Sequence, residues 1–168
     1  VGFGGIGREF VKISKGLFKN IICYDPFVGK EEMKNLQVEK VDFDEIANSS
    51  DFLVILCDLN EKTKGMIDST FLNKMKSSSY LINLSRGPVV NENDLIASLK
   101  QNKISGAGLD VMTNEPIEEY NELLNLKNTI LTPHSLCWTD ECFNAIATEA
   151  ITSILNYFNN EKIINRVV

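Results

Sequence analysis

The chain has 168 residues, 43% of them apolar, with a formal net charge of −6 and a pI near 4.9. That is one ordinary domain with material for a core, and the lack of any Lys/Arg-rich run argues against nucleic acid as a partner. The apolar runs are too short to span a bilayer, no secretory signal is visible, and the scattered Cys23, Cys57, Cys137 and Cys142 with a single histidine match no zinc spacing. Reduced thiols in a cytoplasmic protein without a metal are the expectation.

Taken in chain order, Val1–Phe3 reads as the stub of a first strand, followed by a helix with Ile6, Phe10, Ile13 and Leu17 at helical spacing. The chain opens inside a motif and without methionine, so it is expected to be part of something longer. Short apolar runs over Ile21–Tyr24, Phe52–Cys57, Tyr80–Leu84, Gly106–Val111 and Thr129–Thr132 predict buried strands, with Val38–Val41 a further candidate. Between them, Asp68-Ser69 opens a helical pattern over 70–75, and Asn91 with Asp94 opens another over 92–102. Thr139 is placed to cap a long last helix with Phe143, Ile146, Ala147, Ala150, Ile151, Ile154, Leu155 and Phe158 on one face. Strand–helix alternation of this kind predicts an α/β doubly wound parallel sheet.

Gly2-Phe3-Gly4-Gly5-Ile6-Gly7 fits G-x-G-x-x-G. Side chains at Gly2 or Gly4 would block a tight turn and the approach of a pyrophosphate, and Gly7 would let the helix pack closely. The helix N-terminus then offers free N–H groups to phosphates. The next strand ends at Asp25, about where a βαβ unit places a carboxylate for the ribose hydroxyls. Such a carboxylate repels a 2′-phosphate, which favours NAD over NADP. A plain turn residue before Pro26 is the other reading of Asp25.

Three polar residues follow strand ends: Arg86 after "LINLS", Glu115 beyond "GLDVMTN", and His134 after "ILTP". In an open parallel sheet the ligand crevice lies at the carboxyl ends of the strands, so all three are expected to face one cleft. A guanidinium grips a carboxylate through two parallel hydrogen bonds. A histidine exchanges protons near neutral pH. A glutamate beside it orients the ring and favours its protonated form. With a nicotinamide this set describes hydride transfer at a carbon next to a substrate carboxylate. Each residue alone also has a bland reading: a surface arginine, a loop carboxylate before Pro116, a strand-capping histidine.

The chain resembles the D-isomer-specific 2-hydroxyacid dehydrogenases. "GFGGIGREF" is similar to their glycine loop, "YDP" to their ribose-binding turn, residues 75–116 to their long signature, and "NTILTPHS" to their histidine motif. The resemblance implies a Rossmann-type dinucleotide-binding domain over 1–138. The helix and tail over 139–168 would lead back toward a substrate domain largely absent from the sequence. It implies NAD as cofactor, a small 2-hydroxy or 2-oxo acid as substrate, and a homodimer. It makes Arg86 the binder of the substrate carboxylate and carbonyl, His134 the acid/base and Glu115 its partner. Asp110 would hold the nicotinamide carboxamide, Gly5 and Ile6 would lie against the pyrophosphate, and Leu84 and Ser85 near the nicotinamide ribose. Cys57 and Thr63 are further cofactor contacts on the same ground, although many members carry His and Pro where this chain has Leu56 and Asp58. Cys57-Asp58-Leu59-Asn60-Glu61 is also similar to a run in the NADH-binding transcriptional corepressors of the superfamily, which makes an NADH-sensing binding module the alternative, beside an inactive truncated fragment. Trp138 reads as a packing anchor of the last helix or a wall of the substrate pocket. The 168-residue chain by itself is expected to bind cofactor at best and to be inactive, because closure of the second domain excludes water.

Overall fold

The computed structural model describes residues 1–163, so the tail reading from Ile164 onward lies outside the described residues. The chain divides into two compact units, Val1–Pro133 and the segment from His134 onward.

The first unit holds six strands: β1 (Ile22–Cys23), β2 (Glu39–Lys40), β3 (Phe52–Ile55), β4 (Tyr80–Asn83), β5 (Gly106–Leu109) and β6 (Thr129–Leu131). Each of the six apolar runs expected as strands forms one, shorter by one or two residues. β3 to β6 lie in sequence order in one parallel sheet, and β1 pairs with β2, also parallel. The opening segment joins the two. The Val1 nitrogen donates to Val54 O at 2.7 Å and Leu56 N–H donates to Val1 O at 2.8 Å, the pattern of a parallel bridge, while Gly2 N–H donates to Tyr24 O at 3.0 Å on the other side. The order is therefore β2, β1, opening segment, β3, β4, β5, β6. It reverses between the opening segment and β3, and such a switch point is where doubly wound sheets bind ligands.

The register aligns Ile55, Asn83, Leu109 and Leu131 across four strands, so their following loops leave the sheet at one edge. Leu53, Ile55, Leu81, Ala107 and Leu109 point to one face and are buried. That face carries α3 (Phe43–Ser49), α4 (Ser69–Leu72) and α5 (Glu92–Lys100), which contribute Ile46, Ala47, Phe71, Leu72, Leu95 and Leu99 to the same core. On the other side, α1 (Gly5–Ser14) and α2 (Lys30–Lys34) enclose a smaller core of Phe3, Val11, Cys23, Met33 and Val38. Helices thus flank the sheet on both sides, as expected. A cavity of ≈ 510 Å³ lies beside Val1 between the starts of β1 and β3. It is not the ligand crevice, which belongs to the strands' carboxyl ends.

Local signals set the helix ends. Asp42, Asp68, Asn91 and Thr139 each accept a backbone N–H three residues on, satisfying one orphan donor apiece. Asp94 does not complete a reciprocal box with Asn91; its carboxylate accepts from Ser69 N–H at 2.8 Å and so ties α5 to the start of α4. Two expectations need correction. The helix after Asp68 is only one turn, because α4 ends at Leu72. And the inner face of α1 is Gly7, Val11 and Ser14, whereas Ile6, Ile13 and Leu17 are exposed. Gly7 has no side chain to register in an apolar pattern, so the periodicity selected the neighbouring stripe.

The second unit is built on α6 (Asp140–Phe158), capped as expected by Thr139. None of its residues is buried, and the apolar stripe from Phe143 to Phe158 lies largely in solvent. Among the described residues no helix is long and apolar enough to cross a membrane.

Candidate active site

The glycine loop occupies the switch point. Gly2 has φ +93°, and a Cβ there would lie 2.7 Å from Cys57 N and 2.8 Å from Leu56 C. Only glycine allows the opening segment to run this close to the end of β3. A Cβ on Gly7 would lie 2.5 Å from Gly2 O, so α1 packs directly on the loop. Gly4 and Gly5 differ: a Cβ there would meet nothing within 4 Å. They line open space at the N-terminus of α1, which carries no capping side chain and no acid in its first turn. Its first N–H groups have no partner within the helix, and they face outward with the positive end of the helix dipole. A pyrophosphate fits this cradle in charge and hydrogen-bonding sense.

Asp25 is buried, with 9% of its surface exposed. One carboxylate oxygen, Oδ2, accepts from Phe3 N–H at 2.8 Å, and Oδ1 accepts from Phe27 and Val28 N–H at 2.8 and 3.1 Å. The turn reading of Asp25 therefore applies. The carboxylate organises the turn after β1 and ties it to the glycine loop, and its remaining lone pairs stay available to hydroxyl donors. Arg8, to which the sequence reading assigned no part, grips the same loop. Its Nε donates to Phe3 O at 3.1 Å, its guanidinium lies 5.2 Å from the Phe3 ring centre, and it pairs with Glu32 at 2.6 Å.

Cys57 follows β3 and is half-buried, and burial pushes its thiol up from the ordinary range. Thr63 stands in the next loop, where its hydroxyl accepts from Asn60 N–H at 2.8 Å and donates to Asp58 O at 2.7 Å. Its side chain thus shapes the 58–63 turn. Leu84 N–H donates to Ile55 O at 3.3 Å, and the buried Ser85 hydroxyl donates to Asn83 Oδ1 at 3.1 Å.

Asn83 was also passed over, and it is the buried hub of the Arg86 loop. Its Oδ1 accepts from Ser85 N–H at 3.1 Å as well as from the hydroxyl, and its Nδ2 donates to Arg86 O at 3.1 Å. A polar residue closing the apolar run "YLIN" was the available signal. Arg86 stands exposed beyond this hub, with one guanidinium nitrogen donating to Ser85 O at 2.6 Å. Gly87 holds the loop against the next one: a Cβ there would lie 2.0 Å from Met112 C and O and 2.5 Å from Thr113 N.

Asp110 is buried at the end of β5 and accepts the Thr132 hydroxyl at 2.5 Å, which ties β5 to the end of β6. Glu115 lies in the following loop, exposed, with its carboxylate accepting Met112 N–H at 3.0 Å. His134 begins the second unit, half-buried, with φ +53°. The first unit therefore gathers the glycine loop, Asp25, Cys57, Leu84, Ser85, Arg86, Asp110 and Glu115 at the carboxyl edge of one sheet. His134 lies two residues beyond Thr132 in the chain and belongs to the second unit.

Known proteins place this arrangement. Residues 1–135 match the family described as D-isomer specific 2-hydroxyacid dehydrogenase, NAD binding domain. A glyoxylate reductase of Thermococcus litoralis is 39% identical over 162 residues, covering 96% of this chain and 48% of that protein. A D-3-phosphoglycerate dehydrogenase of Archaeoglobus fulgidus is 38% identical over 141 residues, covering 84% of this chain and 27% of that protein. The holo form of Rhodotorula graminis D-mandelate dehydrogenase superposes with a TM-score of 0.89 at 32% identity, over 99% of this chain and 50% of that one. The chain thus spans about half the length of these relatives or less. It belongs to the D-isomer specific 2-hydroxyacid dehydrogenase family, as the NAD-binding domain of that family.

Proposed function

We propose that the protein carrying this chain interconverts a D-2-hydroxy acid and its 2-oxo acid with NAD. One observation carries the reading: the open glycine cradle and the loops bearing Arg86, Asp110 and Glu115 leave one parallel sheet at the same edge, about its switch point. When bound, NAD supplies a hydride acceptor or donor at C4 of its nicotinamide. Gly4, Gly5 and Ile6 would hold its pyrophosphate on the N-terminus of α1. Asp25 would accept from the adenosine ribose, which favours NAD over its 2′-phosphorylated form. Cys57, Thr63, Leu84 and Ser85 would border the rest of the cofactor, and Asp110 the carboxamide.

In the oxidative direction Arg86 holds the substrate carboxylate as a planar two-point clamp. His134 would take the proton of the C2 hydroxyl, and bound NAD would supply the hydride acceptor that lets the C2–O bond become the ketone. Glu115 stabilises the imidazolium so formed. Reduction reverses each step, with protonated His134 as donor. Glyoxylate and hydroxypyruvate are suitable first substrates, since relatives are named as reductases of both. A homodimer in the cytoplasm completes the reading, supported by the family likeness alone.

The test is NADH oxidation by the full protein with glyoxylate or hydroxypyruvate, for wild type and His134→Ala. General acid–base groups supply about 10²–10⁴-fold, so His134→Ala is expected to lose that much kcat while NADH still binds. Near-normal turnover by the variant would overturn the assignment. NADH binding without turnover of any 2-oxo acid would favour a cofactor-sensing module instead.

A further inference from the structure

We infer that Glu92 is a positioning residue, whose carboxylate locks the Arg86 loop to the Glu115 loop. Glu92 sits in the first turn of α5, six residues after Arg86. The intervening backbone is firmly held: Val89 N–H donates to Arg86 O at 3.2 Å, Ile67 N–H to Val89 O at 3.2 Å and Asn91 N–H to Ile67 O at 2.9 Å. From this base the Glu92 carboxylate reaches across. Its Oε2 accepts from Thr113 N–H at 3.0 Å and its Oε1 from the Asn121 side-chain amide at 2.8 Å. These two bonds bracket Glu115 on both sides in the chain. Asn121 is itself fixed, because its Oδ1 accepts from Leu123 N–H at 2.9 Å.

A second observation converges on the same peptide. The consecutive amides of Met112 and Thr113 are held by two different carboxylates, Glu115 and Glu92. Gly87 presses on that peptide at a separation no side chain permits. Glu92 and Gly87 therefore clamp the Met112–Thr113 peptide from the Arg86 side, and the peptide's orientation in turn sets where Glu115 is held. Two charged side chains on loops separated by a strand acquire a defined spacing, which preorganised sites require. The inference rests on the catalytic reading above for its purpose, though not for its geometry.

The ordinary explanation of an acid in the first turn of a helix is its attraction to the helix dipole. The two explanations rank substitutions oppositely. Glu92→Asp keeps the charge at the helix N-terminus but is one methylene short of reaching Thr113 and Asn121 together. Glu92→Gln loses the charge but keeps the length and one acceptor for Thr113 N–H. Both variants would be made in the full protein and followed by amide exchange over 109–121 and by steady-state kinetics with NADH and a 2-oxo acid. Glu92→Asp is expected to speed exchange of this segment about tenfold, as loss of a hydrogen bond to a charged group implies. Its kcat should fall and its KM for the oxo acid rise, together about ten- to hundredfold, with NADH affinity unchanged. Glu92→Gln keeps the Thr113 bond but turns its NH2 toward the Asn121 amide, so it should restore part of both and stay closer to wild type than Glu92→Asp. Exchange and kinetics that follow the charge, with Asp like wild type and Gln impaired, overturn the inference, as does unchanged exchange in both variants. Faster exchange in Glu92→Asp, in a protein whose wild type turns over no 2-oxo acid, instead removes the catalytic reading and leaves the bridge as a structural lock.

Discussion

Replacing Asp25 separates the structural job of its carboxylate from the cofactor contact proposed for it. In the protein without cofactor it accepts three backbone N–H groups, from Phe3, Phe27 and Val28. The Phe3 bond is buried and spans 22 positions of sequence; the other two are partly buried. Asp25→Ala strands the Phe3 donor, at about 1–3 kcal/mol, and leaves Phe27 and Val28 to be re-satisfied partly by water. A total near 2–4 kcal/mol follows, which lowers the melting temperature by roughly 5–15 °C for a domain of this size. Asp25→Asn is intermediate, because its amide keeps one accepting oxygen and turns its NH2 toward a donor on the other side. The assay is thermal unfolding by circular dichroism without cofactor, followed by NADH titration of whichever variants remain folded at 20 °C. NADH affinity is expected to fall about 10–100-fold from the loss of the charged acceptor. If Asp25→Ala melts with the wild type while NADH binding weakens, the carboxylate serves the ligand alone and the structural reasoning is refuted.

Two further outcomes can be checked. Gly87→Ala puts a methyl into the Met112–Thr113 peptide; relief requires the two loops to part by about 1 Å, so kcat/KM should fall roughly 100-fold and stability by about 1–3 kcal/mol, with NADH affinity retained. A variant with wild-type KM would show that the loops are not locked. Stability should also depend on pH. Burial raises Cys23 and Cys57 above their ordinary 9.0, so the unfolded thiols ionise first and stability is lost above about 9. Melting temperatures should hold up to about pH 9 and fall beyond it, and a flat profile would contradict both burials.

Where the candidate site residues sit in the fold was largely legible because the signals are local. A glycine pattern before a helix, an acid closing the next strand, and polar residues just beyond apolar runs each lie within a few positions of one another. The helix caps at Asn91 and Thr139 were readable for the same reason. The inner face of α1 was not, because Gly7 contacts the sheet through the absence of a side chain. Nor were Arg8, Asn83 and Glu92. Arg8 and Glu92 look like ordinary charged helix residues until their partners, Phe3 O and Thr113 N–H, are brought near.

The sequence by itself determined the kind and order of elements, since periodicity, capping and turn residues act over a turn or a strand. It also determined which residue types arrive at the carboxyl ends of the strands. Only the tertiary structure decided how those ends are joined. It gave Gly2 its contact with Cys57, Asp25 its grip on the glycine loop, Asp110 its bond to Thr132, and Glu92 its hold on the Glu115 loop. These contacts link residues 21 to 55 positions apart. Their partners are chosen by strand order and register, which the hydrophobic face and the chain's crossovers set collectively and no local pattern spells out.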